Sequence, residues 1–161
     1  KHPMYYQLCK TTADYAVTFA KSLMLSEKEV NDIYYASLFS LIGTLKEPNI
    51  SIKEQSKLIV ENGYHLLKQV PGFRDVADIV LSIFERADGK GTPRGLTNDE
   101  IPKAAKIIRI AFDFTSTKNR TTLTCQQVIE LLQSDVGVVY DKNLFSYFRL
   151  LEEEKAKHET V

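Results

Sequence analysis

Little in this sequence favours a disulfide scaffold, a metal cage or an electrostatic partner. Its only cysteines, Cys9 and Cys125, are far apart and match no metal-ligand spacing. No disulfide is expected, and both thiols read as buried or idle in a reducing compartment. Histidine is nearly as scarce: His2, His65 and His158 are the full set, and no pair stands three or four residues apart. Each is expected to be structural or solvent-facing rather than a ligand. Surplus charge is missing altogether, with 21 lysines and arginines against 21 aspartates and glutamates. No global field therefore draws the chain to nucleic acid, an anionic membrane or a polyanionic substrate. Long apolar runs are absent too. None approaches the roughly 20 residues that a bilayer-spanning helix needs, and the opening Lys1-His2-Pro3-Met4 lacks a signal-peptide core, so a cytoplasmic location is expected.

What the 161 residues do hold is apolar material, 43% of them, enough for one compact domain with its own core. Its periodicity is helical throughout. Tyr5, Leu8, Tyr15, Phe19 and Leu23 recur on one face of a first helix spanning Tyr5 to Leu25. Ser26 with Glu29 has the spacing of a capping box, and the helix it opens is expected to run to about Leu45 as the central one, because Ile33 to Leu45 is apolar on nearly every face. Ser51 with Glu54 repeats that spacing before a third helix, which Pro71-Gly72 ends. A short helix follows from Arg74 to Glu85, then one from Lys103 to about Phe114. Thr124 with Gln127 caps another, and Asp141 can cap the last, whose residues 151–161 read as a charged, solvated end. The expectation is an all-α bundle of about seven helices, without strands or solenoid repeats.

One segment interrupts the helices. Asp88-Gly89-Lys90-Gly91-Thr92-Pro93-Arg94-Gly95-Leu96 carries three glycines and a proline in nine residues, which sustains neither a helix nor a central strand. Its glycines allow backbone N–H groups to turn outward, and Lys90 and Arg94 add positive charge, a combination able to hold a phosphate. Glu85, Asp88, Asp99 and Glu100 surround it and read as a solvated acidic rim.

This segment, followed by Glu100-Ile101-Pro102 and Ala105 to Ile108, resembles the signature of HD-GYP domains, an aspartate-glycine pair leading into glycine-tyrosine-proline and then glycine-leucine. The resemblance extends upstream through Val70-Pro71-Gly72, Glu61-Asn62-Gly63, Ala36 to Leu45 and Leu25 to Val30, and downstream to Val136-Gly137 and Tyr140-Asp141. It covers most of the chain. It implies an HD-type helical fold and kinship with bacterial enzymes that hydrolyse cyclic di-GMP at two or three iron or manganese ions. Alignment on that pattern places the family's metal ligands at Leu8, Ser40, Leu41, Ile59, Ile83, Phe84 and Phe112. Six of these are apolar, and burying each is favourable by roughly 1.5–3 kcal/mol, so a filled core is expected where the family has a metal cavity. Thr92 stands at the tyrosine of the loop motif, and Thr44 where the family has a lysine thought to contact phosphate.

The expected function is accordingly that of a catalytically inactive regulatory or interaction module of cyclic di-GMP signalling, with no metal and no cofactor. It would be a piece of a longer multidomain protein. In related proteins the glycine-rich loop is associated with docking to diguanylate cyclase (GGDEF) domains, which makes those domains candidate partners, with self-association left open. The alternative is a sensor that holds cyclic di-GMP without cleaving it, through Lys90, Arg94 and Arg120, the last lying near the family's phosphate-contacting arginine. An active phosphodiesterase with an unorthodox site is the least favoured reading, because divalent-ion catalysis needs ligands that the sequence lacks.

Overall fold

The computed structural model describes residues 2–46 and 52–159. Among the described residues seven α-helices make up the fold: α1 (His2–Ser22), α2 (Glu27–Leu38), α3 (Ile52–Leu67), α4 (Arg74–Ser82), α5 (Lys103–Arg120), α6 (Cys125–Leu132) and α7 (Lys142–Glu159). Two 3-10 segments, Ile42–Leu45 and Gln133–Asp135, lie between them. Among the described residues there is no strand, only isolated bridge pairs between Asp88 and Thr97 and between Val136 and Tyr140. The all-α expectation is met. So are two of the three capping boxes, since the Ser26 and Thr124 side chains accept from the Glu29 and Gln127 amides while those side chains reach back to the cap backbone. The third, Ser51 with Glu54, lies outside the described residues. Asp141 caps α7 by accepting from the amides of Asn143 and Leu144, each at 2.9 Å.

The central position belongs to α5 rather than to α2, contrary to expectation. α5 buries Ala105, Ile107, Ile108, Ile110, Ala111, Phe112, Phe114 and Thr115, and it runs on to Arg120 rather than stopping near Phe114. α2 ends at Leu38 and buries only Ile33, Ala36 and Ser37. Hydroxyl competition accounts for the early stop. Ser37 Oγ donates to Ile33 O, Ser40 Oγ to Ser37 O and Thr44 Oγ1 to Leu41 O, so the chain tightens into the 3-10 segment instead of continuing the helix. That turn brings Gly43 against the backbone of α3 at Ile59.

α1 meets α2 and α5 along a seam of small side chains, Cys9, Thr12, Ala13, Ala16 and Ala20, with Phe19 as its one large member. Tyr5, Leu8, Tyr15 and Leu23, expected at the centre of this face, flank it half-buried. Small residues at a seam allow close approach, and the hydroxyls of Thr12 and Thr115 meet across it at 2.8 Å. Above them Tyr15, Phe114, Phe148 and Phe19 form a chain of ring contacts between 5.1 and 5.3 Å that ties α1, α5 and α7 together. The charged end of α7 corrects the sequence reading in one respect: Glu152 is buried and paired with Lys155, whose ammonium lies 5.0 Å from the centre of the Tyr15 ring. No helix among the described residues is long and apolar enough to cross a membrane.

Candidate functional site

The positions singled out by the ligand alignment come from five parts of the chain and meet in one body. Leu41, Ile59, Ile83, Phe84 and Phe112 are buried in a single continuous core, and half-buried Leu8 packs against it. Phe84 and Phe112 stand edge to face with ring centroids 5.6 Å apart. The one polar member is Ser40, wholly buried, whose hydroxyl donates to Ser37 O at 2.8 Å and meets Cys9 Sγ at 3.5 Å. Burial pushes the Cys9 thiol above its ordinary range, against hydrogen bonding from Ser40 and the Leu41 backbone that pulls it down. Among the described residues no group of three or more histidines, cysteines, aspartates or glutamates is placed to hold a metal ion. His65 and His158 are exposed, and the side chain of His2 lies outside the description. Asp113, next to Phe112, turns its carboxylate to Arg109 Nε at 2.6 Å and to the Tyr140 hydroxyl at 2.8 Å. Burial, with the Asp113 charge alongside, pushes the Tyr140 hydroxyl far above its usual range and keeps it a donor.

The loop 88–96 lies over this core and is ordered by it. Thr92 N–H donates to Phe84 O at 3.1 Å, and the Thr92 and Ser56 hydroxyls lie 3.3 Å apart. The amides of Ala87 and Asp88 donate to the carbonyls of Val139 and Val138, which sets residues 135–140 alongside. Arg86 grips Asp88 with two hydrogen bonds, 3.0 and 2.8 Å, while Lys90 N–H donates at 3.0 Å to Asp88 Oδ1, the oxygen that also accepts from Arg86 Nε. The Arg86 guanidinium holds the Asp88 carboxyl down at about 2, with the Lys90 amide assisting.

The acidic rim is not uniformly solvated. Glu85 is 2% exposed, and its two oxygens accept from the amides of Arg94 and Leu96 at 2.8 and 2.9 Å. The sequence holds only a hint of this, a carboxylate directly after an apolar run, because the amides that bind it return from nine and eleven residues further on. Glu100 caps Thr97, and Asp99 alone of the four remains exposed without such a duty. The loop amides expected to face outward toward a phosphate are thus partly engaged inward, at Lys90, Thr92, Arg94 and Leu96. Lys90 and Arg94 are both exposed, though the Arg94 guanidinium also donates to the buried Ser82 hydroxyl. Arg120 does not join them: it lies at the C-terminal end of α5, with Nε on Ser116 O, beside a shallow open cleft formed by Asn119 to Leu123. A second crevice, between α4, α5 and residues 139–141, has room for about one water molecule and is lined by the paired groups Lys106 with Asp141 and Arg109. Burial works against the charge on Asp141, but the Leu144 amide, Asn98 and Lys106 outweigh it and hold the carboxyl below its ordinary value.

The Asp88 clasp has a direct pH consequence. A carboxyl whose folded value lies below its free value of 3.8 contributes stability that is complete above the free value and is lost as pH falls through about 2. Between pH 5 and 2 the wild type should therefore lose melting temperature more steeply than Asp88→Asn, which lacks that titration. Parallel curves would show that the Arg86 pair contributes nothing in solution.

Comparison with known proteins agrees with this architecture. A cyclic di-GMP phosphodiesterase of Thermotoga maritima is 27% identical in an alignment 151 residues long that covers 84% of this chain and 41% of that protein. The structure of a cyclic GMP-AMP specific phosphodiesterase of V. cholerae superposes with a TM-score of 0.75 at 16% identity, covering 91% of this chain and 44% of that one. An HDG"Y"P protein from Bdellovibrio bacteriovorus gives the same TM-score of 0.75 at 14% identity, over 92% of this chain and 52% of its own. The chain thus spans about half or less of the length of each of these relatives. Residues 1–144 match the HD domain family, and with the seven-helix fold this places the chain in the HD domain family.

Proposed function

We propose that the chain is a catalytically silent HD domain, part of a longer protein, that serves as a regulatory docking module in cyclic di-GMP signalling, with loop 88–96 as its contact surface. The observation that carries this reading is what fills the ligand positions. Adjacent divalent ions need imidazoles and carboxylates around them. Leu8, Leu41, Ile59, Ile83, Phe84 and Phe112 supply hydrocarbon instead, and the Ser40 hydroxyl is already engaged. These residues do not fit an iron or manganese centre. The signalling context is supported by the kinship with cyclic dinucleotide phosphodiesterases. The docking role is supported by a loop that is held in shape from beneath while Lys90 and Arg94 stay exposed. A GGDEF domain is the partner that the family resemblance implies.

The test is a calorimetric titration of the domain with cyclic di-GMP in excess manganese, followed by titration with a GGDEF domain. The expected results are no turnover heat, no linear product, and saturable binding of the protein partner that weakens at least about tenfold when Lys90 and Arg94 are both replaced by alanine. Linear product would overturn the silence. Saturable heat with the nucleotide and none with the protein would replace docking by a sensor role.

A further inference from the structure

The Gly-rich loop already holds an anion, and that anion belongs to the chain. Glu85 follows Phe84 just beyond α4, is 2% exposed, and directs both carboxylate oxygens at the amides of Arg94 and Leu96. Gly95, between those amides, has φ of +67°, a left-handed turn that lets flanking N–H groups converge on one point. Converging amides of this kind form a concavity that binds carboxylate or phosphate oxygens. The Arg94 guanidinium closes the arrangement by donating to Ser82 Oγ at 2.6 Å, so the residue is fastened through both its backbone and its side chain. Gly91 makes the approach possible, because its Cα comes so near the Glu85 and Arg86 backbone that a Cβ there would lie 2.3 to 2.5 Å from it.

We propose that residues 94–96 form an oxyanion-binding nest that Glu85 occupies as an internal ligand, so that the loop is an anion-closed latch and is shut to external phosphate while Glu85 is in place. This rests on the reading of loop 88–96 as the functional surface, and it gives that surface a built-in autoinhibitory contact. Removing the carboxylate then exposes a site for a free oxyanion of similar size, with formate mimicking the Glu85 head group and inorganic phosphate testing the wider class.

The experiment needs neither nucleotide nor partner, so its failure is separable from failure of the docking reading. Wild type and Glu85→Ala are melted in formate, phosphate and chloride at equal ionic strength. The wild type gives the general salt response, in which phosphate stabilises by exclusion from the surface. Glu85→Ala should melt lower and recover by about 3 °C or more beyond that wild-type response in formate or phosphate relative to chloride. Recovery equal in chloride, or a wild type as responsive as the variant, overturns the proposal. Should Glu85→Ala fail to fold, hydrogen exchange in the wild type decides the matter. The Arg94 and Leu96 amides should exchange as slowly as core amides of α5 such as Ile107, and exchange within about tenfold of an unstructured peptide overturns the latch.

Discussion

Gly43→Ala should lower the melting temperature by about 6–20 °C, the largest effect expected from adding a single methyl group to this chain. Gly43 lies in the 3-10 segment after α2, and a Cβ built on it would sit 1.9 Å from Ile59 O, 2.8 Å from Ile59 C and 2.9 Å from Gly63 N. All three are backbone atoms of α3. No rotamer change can move them, so α3 itself must retreat, and with it the wholly buried Ile59 and Val60. Overpacking against immovable backbone, with loss of core contacts, costs about 3–5 kcal/mol. In a chain of 161 residues each kcal/mol lowers the midpoint by about 2–4 °C. Gly63→Ala is the matched control, since its Cβ would meet the side chains of Val80 and Ile42 at 3.3 and 3.4 Å, groups that can shift by a few tenths of an ångström. Melting followed by circular dichroism checks both. A Gly43→Ala midpoint within about 3 °C of wild type would mean that the turn and α3 are not in such contact.

The same contact shows where sequence reading stops. Apolar periodicity and capping boxes set the helix starts at Glu27 and Cys125, and the buried pattern of α4 and α5, because those signals are local. The break after Leu38 was not legible, since Ile33 to Leu45 is uniformly apolar and the competing Ser37, Ser40 and Thr44 hydroxyls act only once the turn can pack Gly43 on α3. The end of α5 was missed for a related reason: the apolar pattern fades after Phe114, yet Thr115 donates back to Ala111 O and reaches Thr12 across the α1 seam. The aligned positions Leu41, Ile59, Ile83, Phe84 and Phe112 were drawn from the family resemblance, and the fold buries them in one core. Glu85 did not follow from anything local. As one acid among four it looked solvated, and only the return of the loop onto it turned a rim charge into a buried acceptor. Arg120 was grouped with Lys90 and Arg94 because it lies near the family's phosphate-contacting arginine, and the length of α5 separates it from them.

Gly91→Ala should cost about 2–4 kcal/mol, and most of that loss should be confined to the loop. Its Cβ would lie 2.3 Å from Arg86 N, 2.4 Å from Glu85 Cα and 2.5 Å from Glu85 C, so the loop must lift away from the end of α4. Lifting breaks the Thr92 bond to Phe84 O and pulls the Arg94 and Leu96 amides off Glu85, which leaves a buried carboxylate short of its donors. The helices beneath do not depend on the loop for their own hydrogen bonds, so far-ultraviolet circular dichroism should stay near wild type. Limited proteolysis should instead open at Lys90 or Arg94, both exposed and each followed by glycine. The same variant separates loop shape from loop charge. If docking requires a preformed surface, Gly91→Ala should weaken partner binding as much as removal of Lys90 and Arg94, although every charged side chain is retained. Retained affinity with an opened loop would mean that the cations alone make the contact, whatever backbone carries them.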